Sequence, residues 1–536
     1  MMANAVKKIC AGFLLSAGIT APAILAQAGS GANLPELGVS GRQDLSPQAE
    51  RRLGEEVMRD IRRDRDYLED APLLEYLNRF GNDLLTVRPD ARGEAGFDFF
   101  FFGVRDPMLN AFALPGGFIG VHSGLLLAAQ NESELASVLS HEIGHVAQRH
   151  IARMLGQQKQ DALIPLAAMV LAVLAARSNP DASLGIMAGG ETLALQRQMS
   201  FSRDAEREAD RLGFQLLQEA GFDTSGMVAF FKRMQNATRA YTDNTPAYMR
   251  SHPLTTERIA DIEARNRELR YRQRADSLEF HLIRARARIL QDDTNSGWDQ
   301  ARIVFQSQLE TQSRQQSAAG HYGLALIALR QGQYVQAGKA LRLAQQASQA
   351  AEEAALGRKL GQYQHPVLAH LANELAMAQA QDEAGLRQAI ILTQTAHQQF
   401  PFSRGLALQY AQALRHAGKL DTAVLFLRDQ IQLYRQEPVL HEQLAATYAR
   451  QGKLALQHMS LGESYALRGS LQAAIEQMEL ARRAGDGNFY DHALIDARLR
   501  QFQADLREQN KERSLRGEKG AQAQPSALEQ ARRHQH

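Results

Sequence analysis

The stretch Ser140-His141-Glu142-Ile143-Gly144-His145 decides how the rest of the chain is read. It has the form H-E-x-x-H, and residues four apart on an α-helix lie on one face, so both imidazoles can reach one ion. The glutamate beside the first histidine is then placed to take a proton from water. The context agrees. Asn131 is an N-cap, and Leu135, Ala136, Val138 and Leu139 follow at the three-and-four spacing of a helix. A helix supplies two ligands, whereas a catalytic zinc takes three from protein and keeps one position open. The metzincin arrangement would need glycine at position 148 and histidine at 151; Gln148 and Ile151 exclude it, and His150 is left for a supporting or surface role.

A third donor has to come from elsewhere. In Phe201-Ser202-Arg203-Asp204-Ala205-Glu206-Arg207-Glu208-Ala209-Asp210, Glu206 and Asp210 share one helical face. Glu206 can ligate, with Asp210 one turn on. On spacing alone a solvated charged face is the plainer reading of this segment.

Four stretches together change that balance: Asn110-Ala111-Phe112-Ala113-Leu114-Pro115-Gly116-Gly117-Phe118-Ile119, then the H-E-I-G-H segment, then Glu206-Arg207-Glu208-Ala209-Asp210, then Ser251-His252-Pro253-Leu254-Thr255-Thr256-Glu257-Arg258-Ile259. Over roughly residues 45 to 265 the chain resembles the HtpX-type zinc metallopeptidases, and with its helical repeats it is similar to their periplasmic, repeat-bearing members. The resemblance implies a gluzincin-like fold of helices with a small β-sheet. It implies one zinc ion per chain held by His141, His145 and Glu206, with Glu142 as general base and Asp210 as an assisting acid. It also implies that the Asn110–Val121 region offers an edge strand that pairs with substrate backbone; a purely structural hairpin remains the alternative. His252 precedes a proline, which keeps it out of the helical region. A fourth ligand that holds the enzyme off, a donor to a developing oxyanion, and a plain loop residue all stay open for it.

Length and composition frame these motifs. The 536 residues suffice for more than one core. The 61 basic and 59 acidic side chains nearly balance, so nothing points to nucleic acid. An aromatic content of 7% with abundant alanine, leucine and glutamine predicts a mainly α protein. Lys7 and Lys8, the apolar run Ile9–Ala26 and the small-x-small stretch Ala26-Gln27-Ala28 read as a secretory signal over residues 1–28, cleaved on export. A periplasmic location follows. The mature chain then lacks the lone Cys10, and with it any disulfide or thiolate ligand.

Residues 29–270 form the expected metallopeptidase domain. Within it, residues 162–176 carry no charge but are too short for the roughly 20 residues a membrane-spanning helix needs. A buried helix, a peripheral membrane contact and a cover over the active site are the competing readings, and Leu184–Leu195 is a candidate mobile cover. From residue 271 the texture becomes alanine-rich and periodic. Gly418 to Gly452 is the 34-residue tetratricopeptide period. Small residues recur at Ala325, Ala337, Ala344, Ala389, Ala396, Ala411, Ala423, Ala445, Ala474 and Ala481. Gly452 to Gly469 is half a period, so a helix is shared or a repeat is cut short there. Residues 271–505 are therefore predicted to be a tetratricopeptide α-solenoid whose concave face binds peptides or proteins, and 506–536 a disordered polar tail. The resemblance implies that the solenoid's partners are unfolded or misassembled outer-membrane proteins and the barrel-assembly machinery. The competing function is a largely latent peptidase acting as a chaperone or scaffold.

Overall fold

A computed structural model describes residues 45–157, 202–240, 247–270, 272, 274–361 and 364–522. The expected signal peptide and the 162–176 and 184–195 stretches lie outside these residues. The expected mainly α architecture is what the chain adopts, with one three-stranded sheet among the described residues.

The N-terminal half builds from capped helices around that sheet. The Ser46 hydroxyl accepts the Ala49 amide ahead of Pro47, which opens α1 (Pro47–Ile61). Asp70 caps α2 (Ala71–Thr86) in the same way. The sheet consists of β1 (Phe100–Val104), β2 (Ala111–Leu114) and β3 (Phe118–His122), in the order β1-β3-β2. β3 runs parallel to β1, with Phe118 opposite Phe100, and antiparallel to β2, with Val121 opposite Ala111. Gly116 and Gly117, at φ +76° and +96°, make the β2–β3 turn in a region that other residues avoid. β2 therefore has one edge unpaired among the described residues, and it lies against the helix that carries the H-E-x-x-H motif.

That helix is α4 (Glu132–Ala147), which follows the short α3 (Ser123–Ala128). The Asn131 side chain accepts the Glu134 amide, and Glu132 and Glu134 sit in the first turn, where the helix dipole favours acids. Every residue of α4 is buried. Next come α5 (His150–Gln157), α6 (Arg203–Glu219), α7 (Ser225–Ala240), α8 (Ala247–Ser251) and α9 (Thr256–Arg267). α4 and α6 cross at close range. A Cβ on Gly144 would stand 2.9 Å from the Ala209 Cα, and one on Gly213 3.0 Å from the His141 amide nitrogen. Only glycine on both helices permits this approach.

The second half is a stack of helices: α10 (Leu278–Gln291), α11 (Asn295–Leu309), α12 (Arg314–Arg330), α13 (Tyr334–Leu356), α14 (Pro366–Gln379), α15 (Glu383–Gln399), α16 (Arg404–His416), α17 (Leu420–Leu433), α18 (Pro438–Gln451), α19 (Leu454–Leu467), α20 (Leu471–Arg483) and α21 (Phe489–Gln522). From α11 on, each helix packs on the next, and α14, α16 and α18 also pack on one another in turn, the stacking of a tetratricopeptide solenoid. All the recurring alanines named from the sequence are buried. The half-period from Gly452 to Gly469 is one helix, α19, packed against both α18 and α20 and so common to two hairpins.

Two features run across the expected domain boundaries. Helix α21 continues to Gln522, well into the stretch expected to be a disordered tail from 506. Ile495, Leu499 and Phe502, at helical spacing, bury against Ala474, Ile475 and Met478, with Leu506 partly buried beside them, and this apolar stripe carries the helix past residue 505. The break at 270/271 is likewise not a break in the core. One hydrophobic cluster runs from Leu68 and Val121 through Phe280 and Ile283 to Leu375. At its centre Arg286, 2% exposed, donates to Asp70 at the start of α2 (2.7 Å) and to the Tyr322 hydroxyl (2.9 Å), with Glu374 at 3.4 Å. The two halves of the chain thus meet over a shared interior. No helix among the described residues is long and apolar enough to cross a membrane.

Candidate metal centre

The crossing of α4 over α6 sets the geometry of the centre. His141 and His145 project from one face of α4, and Glu206 rises from the first turn of α6 between them. His145 Nε2 lies 3.0 Å from His141 Nε2; Glu206 Oε2 is 3.5 Å from His141 Nε2, and Oε1 is 3.5 Å from His145 Nε2. The segment before Thr255 contains α8, and the His252 amide donates to the Tyr248 carbonyl (2.8 Å). This turns His252 inward. Its Nδ1 stands 3.3 Å from His141 Nε2 and 3.0 Å from Glu206 Oε1, while its Nε2 is 3.5 Å from Glu142 Oε1. His141, His145, Glu206 and His252 present one ligand atom each within 4.8 Å of one another, all buried.

These separations can be compared with what an ion demands. Donors around a tetrahedral ion at 2.0–2.2 Å stand about 3.3–3.6 Å apart, and the contacts here run from 3.0 to 3.5 Å. Three ring nitrogens facing one another at this range, with no cation or proton between them, would repel. The electrostatics agree. Burial opposes protonation of His141, but the hydrogen bonds and charges of Asp210 and Glu206 outweigh it and raise the ring to about 9. Burial and the charge on His141 hold His145 well below the usual imidazole value. Burial alone would raise Glu206, yet His252 and His141 keep its carboxyl well below the ordinary range. The cluster accommodates positive charge at its centre and resists a second proton.

Glu142 is fully buried beside this cluster. Neither of its oxygens makes a well-formed hydrogen bond within the protein. Burial raises its carboxyl, opposed by the charges of His252 and His141 and by the backbone amide of Ala113 on β2. A proton-accepting group and an unpaired strand edge thus adjoin the same four donors.

Residues 76–266 match the profile of peptidase family M48. This segment is similar to the M48 peptidases. A Vibrio cholerae protein named putative beta-barrel assembly-enhancing protease is 39% identical over 255 residues, 47% of this chain and 51% of that protein. The beta-barrel assembly-enhancing protease of Escherichia coli (strain K12) is 33% identical over 330 residues, 61% of this chain and 65% of its own. The mitochondrial metalloendopeptidase OMA1 of Schizosaccharomyces pombe is 28% identical over 224 residues, 41% of this chain and 62% of that protein. These matches span between about half and two thirds of the relatives' lengths. M48 is a metallopeptidase family, and the four-donor cluster is where the residues of this chain could hold a metal ion.

Around the four donors lies a layer only partly visible in the sequence. Asp210 is buried against His141. Its Oδ1 is 2.9 Å from His141 Nδ1, and both its oxygens accept from Arg258 (2.6 and 2.8 Å). Arg258, 3% exposed, also reaches Glu206 Oε2 at 2.7 Å. Sequence reasoning quoted Arg258 within the Ser251–Ile259 stretch but gave it no role, because its partner Asp210 is 48 positions away. Tyr248 was likewise unanticipated; its ring lies over His252 with centroids 4.7 Å apart.

Proposed function

We propose that the chain is a zinc-dependent endopeptidase of the bacterial periplasm that cleaves unfolded or stalled outer-membrane proteins and supports their assembly. The observation that carries this reading is the convergence of four buried donors, within 4.8 Å of one another, next to the buried Glu142. Zinc suits a set of three imidazoles and a carboxylate, and when bound it supplies a Lewis acid beside the scissile carbonyl. The chain's own residues do the rest. Glu142 takes a proton from the attacking water and returns it to the leaving amine. The free edge of β2 pairs with extended substrate backbone and holds it without demanding a particular sequence. Asp210 fixes the His141 ring through Nδ1, and Arg258 holds Asp210 and Glu206 in place. The solenoid's concave face recruits clients and, through them or directly, the barrel-assembly machinery. The names of the bacterial relatives, the expected signal peptide and the repeat architecture support these assignments.

One observation favours a second reading, a latent peptidase serving chiefly as a scaffold. His252 stands at the fourth position, and all four donors and Glu142 are at most 1% exposed. Displacement of His252 by substrate or partner would open the site.

The experiment is zinc analysis of purified protein together with degradation of an unfolded outer-membrane barrel by wild type and by Glu142→Gln. The proposal expects bound zinc in both proteins and cleavage by wild type alone. Cleavage by Glu142→Gln would overturn the assignment of the base. Zinc without cleavage of any unfolded substrate would favour the scaffold.

A further inference from the structure

An imidazole that ligates a metal through one nitrogen must place the other somewhere, and that second partner fixes both tautomer and ring orientation. For His141 the partner is Asp210. For His145 the Nδ1 atom faces not a carboxylate but another ring: His150 Nδ1 lies 2.9 Å away, with ring centroids 4.9 Å apart. The far nitrogen of that ring, His150 Nε2, is 3.0 Å from Glu208 Oε2, which also pairs with Arg153 (2.5 Å). His150 itself is 3% exposed.

The backbone explains how a residue five positions beyond His145 meets it. On an uninterrupted helix the two side chains would diverge by about 140°. Here α4 ends, Arg149 adopts φ +51°, and α5 restarts at His150. Arg149 is the one non-glycine residue with positive φ among those described, and this conformation is costly for a side-chain-bearing residue. It is held by the ion pair from Arg149 Nε to Glu50 (2.9 Å), itself 2% exposed, and by donation to the Leu45 carbonyl. The left-handed break turns the His150 ring back over His145.

We propose that His150 is the positioning residue for His145, completing a relay in which His145 Nδ1–H donates to His150 Nδ1 and His150 Nε2–H donates to Glu208. This chain of donors and acceptors directs the His145 Nε2 lone pair toward the other donors of the cluster. Burial, which holds His150 below the usual imidazole value, agrees with a neutral ring that can accept. The two histidines of the motif therefore have unlike supports. His141 rests on a buried carboxylate–arginine pair, and His145 rests on a second imidazole whose own anchor, Glu208, is 42% exposed. The inference rests on the reading of His145 as a metal ligand.

The test is zinc affinity of the full chain, measured by chelator competition, with the visible spectrum of the cobalt-substituted protein as a report on ligand geometry. His150→Leu should weaken zinc binding about 10–100-fold, the usual effect of losing a partner behind a metal ligand, and should alter the cobalt spectrum. His150→Asn puts an amide oxygen where Nδ1 stood, so it should recover most of that loss. Glu208→Ala, at a half-exposed site that leaves the fold intact, should weaken binding in the same direction by less. Equal losses in Leu and Asn variants, or unchanged zinc affinity in Glu208→Ala, would overturn the relay. If His150→Leu fails to fold, Glu208→Ala decides alone. A wild-type chain that holds no metal would instead overturn the metal reading itself, so the two failures are distinguishable.

Discussion

The peptidase domain and the solenoid are stabilised by opposite means. Around the metal centre, charged and polar groups are buried and satisfied by partners far away in sequence: Asp210 by Arg258, Glu134 by Arg233, Glu206 by Arg258 and His252. In the solenoid most buried positions are apolar, with alanine recurring at the helix contacts, while ion pairs such as Arg387–Glu383 and Arg483–Glu479 join neighbours four residues apart on exposed helix faces. One region holds its shape through groups that cannot be removed singly, and the other through small residues that let helices approach. Function accounts for the difference, since a reacting centre needs charge out of water and a binding scaffold needs only a regular surface.

The sharpest way to break this comparison is to remove one cation from each region. Arg258→Met leaves Asp210 and Glu206 buried without their partner, and the expected cost is about 3–5 kcal/mol with loss of bound zinc. Arg387→Ala should change stability by less than about 0.5 kcal/mol. Chemical denaturation with zinc analysis checks both, and equal effects would mean that the burial contrast has no energetic meaning.

A subtler contrast uses glycine. Gly144→Val drives a side chain into the Ala209 backbone at the α4–α6 crossing. It should cost about 1–3 kcal/mol and weaken zinc binding by drawing Glu206 away from the histidines. Gly338, within α13, has only ordinary contacts at its would-be Cβ, the nearest being 3.7 Å away. Gly338→Ala should therefore stabilise the chain by about 0.5–1 kcal/mol through helix propensity. Melting curves of the two variants should move in opposite directions.

The same contrast explains what could be read from the sequence. The solenoid's order comes from local rules, so the buried alanines and the turns near Gly418 and Gly452 follow from spacing, and even the half-period resolves into the shared helix α19. His141, Glu142 and His145 were legible because helical periodicity sets them side by side. Glu206 was not legible from spacing, where its charged neighbours favoured a solvated face; only the resemblance singled it out. Arg258 had no local signal at all. His150 was legible only as a supporting or surface residue, because the left-handed Arg149 that turns its ring over His145 leaves no local signal in the sequence. The Ile495, Leu499, Phe502 and Leu506 stripe of α21 went unread because the residues around it are polar. The shared core across residue 270, with Arg286 binding Asp70, depends on contacts more than 200 positions apart, which no local pattern encodes.

The central claim is that four side chains converge on a single zinc ion. Elemental analysis of the natively purified chain, paired with anomalous diffraction at the zinc edge, tests it most directly. The account predicts one zinc per chain, an anomalous peak about 2.0–2.2 Å from donors on His141, His145, Glu206 and His252, and its disappearance in His141→Ala. A chain purified without any transition metal, or a peak lying away from these residues, would contradict it.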